Sequence, residues 1–393
     1  MTSFAVQYLG SRPKDITPQQ ARERLRIACD RLPISMVLLD WDLPLEVEEA
    51  VAKEANALNV RLYRWQTWLT GDSRTPVPPE WAVLGLDGRP VPGHAGNPDF
   101  TFFCPNRPGV QDFLAKRLEG IAALGYFQGI FLDRIRFPSP AVDPASHLGC
   151  FCKSCTRKAA ETGLDLNLVR RYIDSLITDA DGARHFVSSL LGRPETPAIL
   201  LEAFLDFREQ NITDVIETTT HQADELRLSV GLDCFSPALT RMVGQDLTEL
   251  DRHCDWIKLM IYPRVFGPAG ISFELLGLTN WLIERGLTES KALKCLRDGS
   301  GLPVPTKKSE LAKAGLGSET LALEIQRGRR KGITDLLAGV ALVKVKTIHE
   351  SSPKQIQEDL KACRAADGLV LSWDLWQIPL ETIDAIHRIW DKP

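Results

Sequence analysis

Three aspartates stand at the ends of short β-rich runs. Asp133 closes Gly129–Asp133 (GIFLD), Asp233 closes Leu228–Asp233 (LSVGLD) and Asp374 closes Gly368–Asp374 (GLVLSWD). Successive side chains on a strand point to opposite faces. Gly129, Phe131 and Asp133 therefore share a face opposite Ile130 and Leu132. Ser229, Gly231 and Asp233 oppose Leu228, Val230 and Leu232, and Ser372 with Asp374 opposes Leu371 and Trp373. If each apolar set packs outward, the three carboxyl groups converge on one interior. Two carboxyl groups at one bond, one protonated and one ionised, can serve as acid and as nucleophile or base. The candidates for that work are Asp133, Asp233, Asp374 and Glu350. A strand-end aspartate also has a plainer use, capping the loop that follows it. Asp40 and Asp42 (LLDWDLP) end another run and suit a supporting or hydroxyl-binding role.

Cations and aromatics surround these positions. In ALVKVKTIHE, Val343 and Val345 alternate with Lys344 and Lys346, so outward valines turn both lysines inward. A buried ammonium needs a carboxylate partner or an anionic ligand, and Arg134 and Arg136 add positive charge after Asp133. One reading pairs these cations with the strand-end aspartates; another has them bind a carboxylate or phosphate of the substrate. An inward lysine would also allow Schiff-base chemistry of the lyase or aldolase type. Tyr63, Trp65, Trp68, Tyr262, Trp373 and Trp376 could line a cleft for ring-shaped ligands, or belong to the core. His349 beside Glu350 could assist proton transfer, although it has no metal-ligand spacing. There is no H-x-H pair on an early strand and no G-x-S-x-G elbow.

Cys150, Cys152 and Cys155 form C-x-C-x2-C, and Cys104 lies upstream. Three cysteines within six residues suit a closed tetrahedral zinc site, in which the metal is structural and leaves no open position for water. Buried thiols, a disulfide, a redox pair or an iron–sulfur cluster are the alternatives. The other cysteines of the nine, Cys29, Cys234, Cys254, Cys295 and Cys363, are expected as free thiols. The N-terminal MTSFAVQYLGSRPKD has no basic stretch followed by an apolar one, so a cytoplasmic chain is expected.

These residues need a frame. Eight candidate strands alternate with amphipathic helical stretches: Ala5–Leu9, Ile34–Asp40, Val60–Trp65, Gly129–Asp133, Leu228–Asp233, Trp256–Tyr262, Gly339–Lys346 and Gly368–Asp374. Most are near-continuous apolar runs, as strands buried on both faces require. Thr17-Pro18 and Ser352-Pro353 mark helix starts. The arithmetic predicts an α/β chain folded as a (β/α)8 TIM barrel, one domain over 1–393, with insertions after strands three and four at about 67–103 and 134–227. A doubly wound sheet would want a G-x-G-x-x-G turn after an early strand, and none is present. The charge balance, 47 Lys and Arg against 51 Asp and Glu, offers no basic excess for nucleic acid. No apolar run is long enough to span a membrane.

The segments FFCPNRPGVQDFL, GIFLDRIRFPSP and GCFCKSC, with CDWIKLMIYP further on, resemble a broad group of barrel glycosidases. The cysteine pattern resembles the zinc site of the family 42 β-galactosidases. The resemblance spans strands three to six, about 160 residues. It implies a glycoside hydrolase with structural zinc on Cys104, Cys150, Cys152 and Cys155, and it points to Asp133 as nucleophile, or as electrostatic stabiliser in an inverting enzyme. Where family 42 places Asn-Glu at the end of strand four, this chain has Asp133-Arg134, so that family's acid does not carry over. Asp233 is then the first choice for the acid. Retention is the preferred mechanism, and a small or imported glycoside, neutral or anionic, the expected partner. Asp40, Trp65, Arg134, Arg136, Tyr262, Lys344, Lys346 and Trp373 are the expected substrate contacts. A carbohydrate-binding barrel without catalysis is the rival from another class.

Overall fold

The structure is a computed structural model, and it describes residues 3–72, 76–194 and 196–390. The strands are β1 Ser3–Tyr8, β2 Ile34–Leu39, β3 Arg61–Thr67, β4 Gly129–Asp133, β5 Ser229–Phe235, β6 Trp256–Met260, β7 Leu336–Ala341 and β8 Gly368–Ser372. Each pairs in parallel with the next, and β8 closes on β1. This is a (β/α)8 barrel. Its helices start where local chemistry directs. Thr17 and Gln20 form a reciprocal capping box at Pro18–Arg31, and Ser352 and Gln355 do the same at Pro353–Ala362. Among the described residues no helix is long and apolar enough to cross a membrane.

Strand alternation divides the apolar side chains. Ile130, Leu132, Val230 and Leu232 pack outward with the helices. Ala5, Met36, Leu38, Tyr63, Trp65, Phe131, Trp256, Leu337 and Val370 fill the barrel. Phe131 stacks on Trp256 with centroids 5.2 Å apart. The small residues of β4 and β5 make room for this plug and not for a ligand. A Cβ on Gly129 would fall 2.3 Å from the Tyr63 ring, and one on Gly231 would fall 2.1 Å from that of Trp256.

The seventh strand corrects the sequence reading. It runs over Leu336–Ala341 and stops before the lysines, because its partner β8 ends at Ser372 and Val345 folds back on His349. Lys344 and Lys346 are therefore exposed loop residues and do not point into the barrel. Trp68, expected near the mouth, is wholly buried and donates to Thr219 Oγ1 (3.1 Å).

The long segments after β3 and β4 leave from the C-terminal end of the strands. The first bridges Thr70 to Phe102 and Ala82 to Phe103; its residues 73–75 lie outside the described residues. The second carries the long helix Ile199–Glu225, whose buried Arg208 donates to Gly149 O (2.6 Å) and Met242 O (3.0 Å). Gly231→Ala should cost about 1–3 kcal/mol by forcing Trp256 from its place. Urea unfolding of the two proteins would measure it, and equal midpoints would mean the plug yields freely.

Candidate active site

Above the aromatic plug, three neighbouring strands present charged side chains in one row. β4 and β5 pair Phe131 with Gly231 and Leu132 with Leu232, so the register carries Asp133 abreast of Asp233. Asp233 in turn pairs with Lys258 of β6. Lys258 Nζ donates to Asp233 Oδ2 (3.0 Å) and to Gln7 Oε1 of β1 (3.0 Å). The ammonium reaches across because β7 offers Gly339 there; a Cβ would sit 2.7 Å from Lys258 Cε. Asp133 Oδ2 accepts from Trp65 Nε1 (3.2 Å), and Trp65 is held edge-on by Trp41.

These groups open into a cavity of about 460 Å³, within the range of small-molecule sites. Asp133 is half-buried beside it, while Asp233 and Lys258 are 3% and 1% exposed. Burial pushes Asp233 up to about 7; Lys258 opposes the rise and the charge of Asp133 adds to it. Lys258 is itself driven up by the Asp233 carboxylate against the cost of burial, so it stays an ammonium. Burial also lifts Asp40 to about 7, although the Asp42 amide (3.1 Å) and Arg12 (3.3 Å) bind its Oδ2. Tyr262 is raised by burial, its hydroxyl between Lys258 and Ser372.

The structure gathers Asp40, Trp65, Asp133, Arg134, Arg136, Asp233, Tyr262 and Trp373 around this one cavity. Arg134 reaches it across the Phe100 ring, 4.3 Å from the centroid, and donates to Thr70 Oγ1 and Asp99 O. Four expected residues lie elsewhere. Asp374 takes the plainer role: its carboxylate accepts from Leu9 N (2.9 Å), Ser11 N (2.6 Å) and Trp376 N (2.9 Å). The alternation that put it inward ends with β8 at Ser372, and Trp373 faces the cavity instead. Glu350, Lys344 and Lys346 are exposed on the loop after β7. His349 is buried, pushed down by burial, with Nε2 at Ala341 O (3.1 Å). Lys258, Gln7 and Trp41 escaped the sequence reading. For Lys258 the signal was available, since Trp256, Lys258 and Met260 alternate with Ile257 and Leu259.

The four cysteines meet outside the barrel, where the insertions touch. Their sulfurs lie within 4.8 Å of one another, all buried. Cys104 Sγ is 3.3 Å from Cys155 Sγ and 3.7 Å from Cys152 Sγ. Tetrahedral thiolates around a metal of zinc's size lie about 3.8 Å apart, so the set fits one ion. Asn106 Nδ2, Leu84 N and Cys155 N point at the sulfurs, as donors to thiolates should.

No protein-family model and no curated protein matches the chain. Solved structures do match in fold. The β-galactosidase of psychrophilic Marinomonas ef1 aligns at TM-score 0.56 and 10% identity, over 99% of this chain and 59% of that one. The β-galactosidase of Rahnella sp. R3 aligns at 0.55 and 10%, over 99% and 56%. A class V chitinase from Pseudomonas fluorescens Pf-5 aligns at 0.50 and 11%, over the full length of both. The chain thus spans less than three-fifths of the length of each galactosidase. At such identities the likeness is one of fold, and the family 42 resemblance gains nothing beyond the barrel.

An acid with a raised folded pKa binds its proton more tightly folded than unfolded, so stability falls as pH rises from the unfolded value through the folded one. Lys258→Met removes the largest downward pull on Asp233. It should cost about 3–5 kcal/mol and carry the loss of stability on to higher pH, beyond about 7 where that of the wild type levels off. Adding Asp233→Asn should flatten that slope. Equal slopes in the single and double variants would show that the pair does not govern it.

Proposed function

We propose that the chain hydrolyses a glycosidic bond in the cavity at the C-terminal end of the barrel. The observation that carries this reading is the pair Asp133 and Asp233, abreast on adjacent strands and open to one cavity. Asp233, lifted to about 7, keeps a proton where an ordinary carboxyl has lost it, which suits the acid. Asp133, half-buried and held by Trp65, suits the nucleophile. Its carboxylate attacks the anomeric carbon as the bond to the leaving oxygen breaks, and Asp233 gives that oxygen its proton. Asp233 then takes a proton from the water that displaces Asp133 and frees the sugar. Adjacent strands lie about 4.8 Å apart, which favours the short carboxyl separation of retaining enzymes, about 5–5.5 Å. Trp41, Trp65, Tyr262 and Trp373 line the cavity as faces for sugar rings. The galactosidase and chitinase folds point the same way.

The Schiff-base reading loses its two lysines to solvent, and the inward Lys258 is held as an ammonium, which is not nucleophilic. We further infer that Cys104, Cys150, Cys152 and Cys155 hold one structural zinc, in keeping with their buried, closed arrangement. Bound there, zinc would tie the β3 insertion to the β4 insertion and supply no chemistry to the cavity.

A screen of chromogenic glycosides in both anomeric series should find turnover that Asp133→Asn and Asp233→Asn each reduce by about 10²–10⁴-fold. Sugar binding with no turnover in either series would favour the non-catalytic barrel. Metal analysis should give one zinc per chain, and Cys155→Ser should lose it together with several degrees of thermal stability. A metal-free, equally stable wild type would remove zinc from the account.

A further inference from the structure

Among the described residues, Arg136 is a buried cation without a counter-ion. It follows β4 by three positions and is 5% exposed. Its guanidinium lies between the rings of Phe102 and Phe235, 4.6 and 4.7 Å from their centroids. Nη1 donates to Phe137 O (3.0 Å), and Nε is buried without a partner. Among the described residues Nη2 makes no hydrogen bond, and no carboxylate forms an ion pair with the group. Glu274, Asp133 and Asp233 act on it only across a distance. Both Glu274 oxygens are already taken, by Ser139 Oγ and Ala269 N. Burial lowers Arg136 to about 10, so it remains charged at neutral pH.

Other buried cations are treated differently. Lys258 pairs with Asp233, Arg64 with Glu48 and Arg264 with Asp359. Arg208 lacks a carboxylate too, but it serves two backbone carbonyls and lines neither cavity near the barrel mouth. Arg136 lines both: the main cavity and a second one of about 290 Å³ that shares Phe100 and Pro268 with it. An unpaired buried charge is costly unless a ligand completes it.

We propose that Arg136 binds a carboxylate of the substrate, so that the sugar held in this cleft is an acidic one. A planar carboxylate matches the guanidinium fork and brings one negative charge. A phosphate dianion would bring two toward Asp133 and Asp233. The acidic group is argued from Arg136 alone; the sugar itself rests on the glycosidase reading.

Calorimetric titration of wild-type protein with D-glucuronate and D-galacturonate, against D-glucose, D-galactose and acetate, tests this directly. One uronate should bind at least about tenfold tighter than its neutral twin and than acetate. Arg136→Gln should bring that ratio close to one. In the wild type, the uronate should slow phenylglyoxal modification of Arg136, mapped by mass spectrometry. Equal binding of acidic and neutral sugars, or a preference that survives in folded Arg136→Gln, overturns the proposal. If that variant does not fold, unchanged modification of wild-type Arg136 overturns it. Turnover of neutral glycosides without uronate preference would sink this inference alone; uronate preference without turnover of any glycoside supports it and sinks hydrolysis.

Discussion

A single buried contact organises the mouth of the barrel: the Lys258 ammonium against Oδ2 of Asp233, 3.0 Å apart and almost wholly out of water. Desolvating the ammonium costs several kcal/mol, and its contacts offset this only with good geometry and further hydrogen bonds. The surroundings meet that demand. Gln7 takes a second ammonium proton from the far side of the closure, and Gly339 leaves the space the side chain crosses. The Phe131 and Tyr262 rings present their faces to the charge at 5.4 and 5.6 Å. What the pair supplies is placement. It ties β5, β6 and β1 into one fixed row and leaves Asp233 Oδ1 without a partner.

The fold separates duties by height in the barrel and by loop. The lower interior is an aromatic and aliphatic plug that sets the strands' spacing and has no room for a ligand. The upper row is charged. The insertions form one wall: Phe100 comes from the first, Arg134 and Arg136 from the second, and Arg134 binds the first insertion through Thr70 and Asp99. The cysteine cluster joins the same two segments further out. Asp374 anchors the opposite wall by holding the amides of Leu9 and Ser11, next to Gly10 and Ser11 at the cavity. The cavity is thus shaped mainly by residues that need never touch a reacting atom.

Much of this was legible in the chain. Apolar runs and helical periodicity gave the barrel, and alternation alone turned Asp133 and Asp233 inward, because their strands continue to those positions. The cysteine spacing foretold the cluster, with Cys104 brought in by the fold. The misreadings share one cause, the strand end. A shift of the seventh strand moved Lys344 and Lys346 from supposed interior to solvent, and β8 ended before Asp374. Lys258 was hidden in the opposite way. Set in WIKLM, it passed as part of an apolar strand, although its parity with Trp256 marked it as inward. The lone cation inside an apolar run was the more informative signal than two lysines near its end.

The proposed hydrolysis depends on the protonation of Asp233. Carbon-13 labelling of the aspartate carboxyls, followed by an NMR titration of wild type and Asp233→Asn, would read it directly. Two resonances should titrate near about 7, those of Asp40 and Asp233, and the variant should lose one of them. If the Asp233 resonance instead titrates near about 3.9, the value of an unperturbed aspartate, the cavity holds no proton to donate at neutral pH and the acid assigned here is wrong.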